Sequence, residues 1–460
     1  MACVSLTGKE RFAPHEPTGA TVPPHDLHER FDRAAAELSD QVVSWRHQLH
    51  EHPELSNRET ATAQMIADHL RSLNLDEVRT GIAGHGVVGV LHGGLDGDRV
   101  VALRADIDAL PIKEESGEEF SSTVVEENYP GGPYPVAHAC GHDCHTAMLM
   151  GAASVLAPAR EELPGTVLFV FQPAEEGPPI DEDGGAREME AEGALADPEP
   201  SMVFGMHVTP YPKGVVAYLA GNQYGASVLI RITVHGKGVH GSTPWAGIDP
   251  LPPAAEIITA MGQVYRQLPG YDPLAITIGH VEDVGRFNVV GEHVQLLGTI
   301  RSTIEPDMEI ARERVQRTAE HVAQAYGATA DVEFLQPVPA VHNTQPWIDA
   351  VLPTLEHVVG HDHLVEAPPG LGYDDVSYFV NKYGGAYLQL GAQDVELRAD
   401  GTMAPEPGGR GIAMNHNPHF YADDSVLETG VRIHANVALD HLTGAIQVQE
   451  EPRPPAAGPQ

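Results

Sequence analysis

The sequence predicts an α/β fold, a mixed and largely parallel sheet flanked by helices, interrupted by an inserted ferredoxin-like α+β module. Three observations carry that prediction. The apolar runs VVALRAD, TVLFVFQ and MVFGMH lack polar alternation and read as strands buried on both faces, with the helical stretch TAMLMGAASVLA between the first two. Further along, SVLIRITVHG and HVQLLGTIRS alternate like half-exposed strands among the amphipathic stretches AAEIITAMGQVYRQL and EIARERVQRTAEHVAQAY, in a β-α-β-β-α-β order. At 460 residues the chain also exceeds one ordinary domain.

The elements follow in order. Residues 1–26 are Pro-rich and aperiodic, which predicts a flexible arm. The segment opening DLHERFDRAAAELSD reads as a helix and TATAQMIADHLRSL, after Asn57, as another; with the apolar strands they make the first part of the principal domain, 27–223. The inserted module is 224–339. A helix near Pro346 to Val359, a strand at AYLQLGA and a helix from Ser425 to His441 form the second part, 340–449. The Pro-rich tail, 450–460, predicts a second flexible segment.

Charge excludes whole classes of partner. Lys and Arg number 27 against 65 Asp and Glu, a net charge of −38, so neither nucleic acid nor an anionic membrane is expected to bind. Three cysteines, Cys3, Cys140 and Cys144, make no disulfide framework, and the N-terminal stretch holds no apolar run of signal-peptide or membrane-span length. A cytoplasmic protein is the expectation. The 26 histidines are the outlier, because histidine is the commonest metal ligand.

Three strings carry chemistry. In HACGHDCH, residues 138–145, Cys140 and His142 are close enough for thiolate and imidazole to reach one ion or ion pair, a donor set that suits zinc, manganese or similar ions. By itself the string also fits a helix start with a buried cysteine. In QPAEEG, residues 172–177, Glu175 and Glu176 follow an apolar strand, where α/β sheets build sites. One carboxylate can bind metal while the other takes a proton from water, whereas a solvated acidic loop is the plain alternative. His207 ends the strand MVFGMH, and His416 rather than His419 is the candidate in NHNPHF.

The order HACGHD, QPAEEG, GMH, GKGVHGSTPW, GTIR, HNPHF, with WRHQLHEHPELS and ALRADIDALPI ahead of it, resembles metallopeptidase family 20, subfamily D. That group includes hippurate hydrolases, N-acyl-amino-acid amidohydrolases and auxin-conjugate hydrolases. The resemblance implies five ligands, Cys140, His142, Glu176, His207 and His416, for two divalent ions, zinc or manganese, with cobalt or nickel also suitable. It implies Glu175 as general base, acting on water activated by the ions. His240 matches the family's transition-state histidine, and Asn288 and Arg301 its substrate-carboxylate contacts. The inserted module becomes a lid and dimerisation domain, through which these three residues act across a homodimer interface. His138, Asp143 and His145 become residues that orient ligands. The expected substrate is a small N-acyl amino acid, and Arg301 has a clear use against its carboxylate in so acidic a protein. Standing alone, Arg301 also reads as a surface ion pair.

The chain departs from the family pattern in places. Cys144 stands where a small residue is usual and reads as an inert helix cysteine, GLGYDDVSYF replaces a glycine-glutamate-aspartate string, and Trp245 follows Pro244 where histidine is common. The alternatives are a metallo-dipeptidase or carboxypeptidase on the same scaffold, a cysteine hydrolase built on Cys140, and a non-catalytic carboxylate- or metal-binding homologue.

Overall fold

The computed structural model describes residues 25–270, 273–398 and 401–448. The flexible arm and tail expected at the ends lie outside the described residues, except that helix α1 (His25–Glu51) begins two residues inside the expected arm. Leu27, Phe31, Ala35, Val42 and Leu49 line its buried face at helical spacing.

In chain order, strands β1 (Glu77–Ile82), β2 (Gly86–His92), β3 (Leu95–Asp106), β4 (Pro164–Gln172), β5 (Met202–Pro212) and β6 (Val216–Tyr218) are followed by a second group, β7 (Ala226–His235), β8 (Leu274–Asp283), β9 (His293–Ser302) and β10 (Thr329–Val338), and then by β11 (Leu364–Glu366) and β12 (Gly385–Gln393). The helices after α1 are α2 (Thr60–Ser72), α3 (His142–Leu156), α4 (Gly185–Ala191), α5 (Leu251–Met261), α6 (Glu305–Ala325), α7 (Gln345–Val359), α8 (Ser377–Tyr383) and α9 (Val426–Thr443).

The principal sheet runs β1-β2-β4-β3-β5-β12-β6-β11. The pairs β3–β4, β3–β5, β5–β12 and β6–β11 are parallel; β1–β2, β2–β4 and β6–β12 are antiparallel. Period-two alternation sends Val101, Leu103 and Ala105 of β3 into one core with α1, α2, α3, α7 and α9, while Val100 and Ala102 face a second core with α4 and α8. Both faces are covered, which is why these strands read as unbroken apolar runs. Parallel register aligns the strand ends: Asp106 lies opposite Gln172, and His207 opposite Gln389.

The second sheet is fully antiparallel, in the order β8-β9-β7-β10, with α5 and α6 on one face and its own core around Ile230, Ile232, Ile257, Leu296, Ile300 and Val315. That strand order and the β-α-β-β-α-β sequence give the ferredoxin-like α+β module. The chain enters and leaves it through two short paired segments, Gly221–Tyr224 and Val341–Asn343. Among the described residues no helix is long and apolar enough to cross a membrane.

Candidate metal centre

The carboxyl ends of β3 and β4, a position along β5, and the N-terminus of α3 converge on one point. Helix α3 starts there because Gly141 takes φ +92°, and because a Cβ at Gly141 would fall 2.2 Å from Val208 Cγ2. That turn leaves Cys140 and His142 buried side by side under β5. His207 on β5 places Nε2 3.3 Å from Cys140 Sγ, and its Nδ1–H donates to the Val208 carbonyl at 2.7 Å. Its Nε2 lone pair therefore faces the thiol.

Glu175 and Glu176 follow β4 across Ala174, whose φ of +52° makes the bend. Among the described residues His142 Nε2 has no hydrogen-bond partner, and it lies 3.7 Å from Glu175 and 3.8 Å from Glu176. His416, also in the left-handed region at φ +66°, donates its backbone N–H to the Ala139 carbonyl and sets Nε2 3.1 Å from Glu176. One sulfur, three imidazole nitrogens and a carboxylate thus meet at one site, with a buried nitrogen that no group among the described residues satisfies. This donor chemistry fits divalent transition-metal ions.

Carboxylates the sequence reading passed over hold the imidazoles in place. His142 Nδ1–H donates to the Asp108 carbonyl at 2.9 Å, and Asp108 Oδ2 accepts from Ser56 and from the Glu176 backbone N–H. His145 is not a ligand: its Nε2 accepts the Val208 N–H at 2.7 Å, so its Nδ1–H donates to Asp106 at 2.6 Å and both nitrogens are used. Arg104, fully buried, ties Asp106 and Asp374 together beneath Glu175. Asp106 and Asp108 sit in ALRADIDALPI, at a strand's carboxyl end like Glu175 and Glu176, and that position was the available signal.

Two expected orienting residues do otherwise. Asp143 accepts from Arg46 Nε at 2.7 Å and His50 Nδ1 at 2.8 Å, locking α3 to α1. His138 is buried, and among the described residues neither ring nitrogen has a hydrogen-bond partner, so it orients no ligand by that means. Cys144 is buried in the principal core.

Electrostatics match a cation site. Burial raises the Cys140 thiol well above its ordinary range, and Glu176 and Glu175 raise it further. Burial also raises Glu175, reinforced by Asp374 and Glu176. Burial opposes ionisation of Glu176 too, yet His416 and His142 hold it down to about 2. Burial, with His145, lowers His207 to about 3, leaving that imidazole neutral and available as a donor.

Of the three second-module residues expected to act across a dimer interface, Arg301 instead lines the cavity of its own chain, and His240 and Asn288 do not. Arg301 lines a cavity of about 240 Å³ with Glu175 and Glu176, and among the described residues no carboxylate lies within ion-pair distance of its guanidinium. His240 and Asn288 are neighbours on an exposed two-stranded ribbon, where Gly241 N–H donates to the Asn288 carbonyl; neither lines the cavity. His240 Nδ1 accepts the Ser242 N–H, which puts the ring proton on Nε2.

Known proteins are similar to this chain along most of their length. Thermostable carboxypeptidase 2 of Saccharolobus solfataricus is 35% identical over 418 residues, which span 90% of this chain and 98% of that protein. IAA-amino acid hydrolase ILR1-like 2 of Arabidopsis thaliana is 32% identical over 412 residues, 88% of this chain and 86% of the relative. The crystal structure of the Bacillus subtilis YXEP protein, described as a dinuclear metal-binding peptidase of the M20 family, superimposes with a TM-score of 0.66 at 29% identity, covering 88% of this chain and 99% of that one. With residues 102–440 matching the profile of peptidase family M20/M25/M40, the chain belongs to that family and is a hydrolase of amide bonds.

Proposed function

We propose that the protein is a dinuclear metal-dependent amidohydrolase that cleaves N-acyl amino acids at the amide, with Cys140, His142, Glu176, His207 and His416 as ligands and Glu175 as general base. One observation carries the reading: a single cavity is lined by Glu175 and Glu176 together with Arg301, a cation that has no carboxylate partner among the described residues. A substrate with a free carboxylate beside its scissile amide satisfies both ends. Zinc and manganese lead as ions, and cobalt or nickel also suit the donors.

When bound, the two ions supply Lewis acidity to the scissile carbonyl and acidify water. The chain does the rest. Glu175, buried and with raised proton affinity, accepts the proton from attacking water and returns it to the leaving amine. The Asp108 and Val208 carbonyls fix the tautomers of His142 and His207, so each would offer an Nε2 lone pair to an ion. Arg301 holds the substrate carboxylate through its paired N–H groups. His240 and Asn288 serve the cavity of a second copy, where His240 Nε2–H donates to the carbonyl oxygen as it gains charge.

A second reading has its own support. The carboxypeptidase relative acts, by its name, at a peptide's free carboxylate, and a peptide C-terminus would meet Arg301 in the same way. A panel of N-acetyl, N-benzoyl and longer N-acyl amino acids beside dipeptides, incubated with zinc- or manganese-loaded protein, tests both. The expected result is amine release that a chelator abolishes, fastest on N-acyl amino acids. Fastest release from dipeptides would select the carboxypeptidase reading. Chelator-resistant release that thiol alkylation stops would overturn both in favour of Cys140 as nucleophile.

A further inference from the structure

Tyr373 lines the cavity and reaches from the QPAEEG bend to Arg301. Its hydroxyl end lies at the QPAEEG bend, where a Cβ built on Gly177 would sit 3.5 Å from it. Its ring lies under Arg301, with the guanidinium carbon 4.9 Å from the ring centroid. That stacking explains how a lone guanidinium keeps a fixed position without a carboxylate, since a cation is attracted to the face of an aromatic ring and its edge N–H donors stay free. Among the described residues the Tyr373 hydroxyl has no hydrogen bond to the protein, although it lines the cavity. One residue thus presents a stacked cation and an unused donor on the same side of one cavity.

We propose that Tyr373 is a specificity-determining residue, whose ring holds the Arg301 guanidinium and whose hydroxyl donates to the same substrate carboxylate. Arg301 alone supplies charge. The pair supplies charge together with direction, so an uncharged carboxamide, which offers one acceptor and no net charge, is rejected. The inference rests on the amide-hydrolase reading for the nature of the ligand, and on geometry for the clamp.

The test separates the two. The probe is 3-benzoylpropanoate, an N-benzoylglycine in which CH₂ replaces the amide NH, beside its primary amide; neither carries the scissile bond, so calorimetric binding to the metal-loaded full chain is independent of turnover. Wild type is expected to bind the carboxylate at least about tenfold more tightly than the carboxamide. Tyr373→Phe keeps the ring and should weaken carboxylate binding about five- to tenfold, with the carboxamide unchanged. Tyr373→Leu removes the ring as well and should approach Arg301→Gln. With a cleavable substrate, Tyr373→Phe should raise KM and leave kcat near wild type. Equal binding of the carboxylate by wild type and Tyr373→Phe, equal weakening of both ligands, or no carboxylate preference in wild type would each overturn the clamp. Carboxylate preference without hydrolysis of any amide would instead overturn the proposed function and leave the clamp standing.

Discussion

Glu175 and Asp108 act on the site in different ways, and substitution separates them. Glu175→Gln keeps the shape and removes the base, so kcat should fall about 10²–10⁴-fold while elemental analysis finds the metal content unchanged. Unchanged turnover would remove Glu175 from the mechanism. Asp108→Ala keeps the backbone carbonyl that accepts from His142 Nδ1 and removes the carboxylate oxygen 3.2 Å from it, so metal affinity should weaken by about tenfold, read by competition with a chelating dye. At this scale the sequence was legible where a short string bends around one point: Cys140 with His142, and Glu175 with Glu176. His207 and His416 were legible by their place at a strand and in HNPHF. It was not legible which neighbour of a ligand supports it. His138, Asp143 and His145 all lie within the HACGHDCH string, yet only His145 turns toward the β3 carboxylates, because that choice depends on the direction in which α3 leaves Gly141. Arg104 and Asp374 meet across 270 residues of chain, and no local pattern announces it.

Helix α3 depends on the glycine that precedes it. Gly141→Ala forces a Cβ into Val208 at a backbone angle that L residues resist, and should cost about 2–4 kcal/mol, seen as a lowered Tm and poorer metal retention. Helix α9 carries an acid-sensitive residue outside the proposed ligand set. His434 is fully buried, sits edge-on to Phe204 at 5.6 Å, and burial lowers it to about 3. Below its ordinary value of 6.5 the unfolded chain takes up a proton that the folded chain refuses. The stability held by this residue is therefore complete above pH 6.5 and is lost as pH falls toward 3. His434→Phe should flatten that acid limb in a plot of Tm against pH, and an unaltered limb would place the sensitivity elsewhere. Helices and strands were legible as patterns of period 3.6 and period 2, down to the β-α-β-β-α-β module. The antiparallel pairs β1–β2 and β2–β4 were not, since an apolar run buried on both faces carries no sign of strand direction.

Over the whole molecule, the ribbon that bears His240 and Asn288 stands apart from the cavity it is proposed to serve. Exposed apolar side chains surround it: Phe287 is 89% accessible and Trp245 81%, and strand β8, at the sheet edge, is exposed at Val281. A second copy covering this face would complete both sites. Mixing inactive Glu175→Gln with inactive His240→Ala should then restore about a quarter of wild-type activity, because half the dimers are mixed and each mixed dimer has one competent site. No recovery after subunit exchange, with light scattering reporting dimers, would confine His240 to its own chain.

The position of β12 sets an order of events during synthesis. It lies between β5 and β6, so the principal sheet stays split until residue 393 has left the ribosome. The ferredoxin-like module is continuous from 226 to 338 and is complete well before that. A nascent chain therefore has one finished folding unit in its middle while β5, apolar on both faces, waits for its last neighbour. At about 5–20 residues per second the interval lasts a few seconds or more, and it is the period in which a chaperone would find the most exposed strand surface.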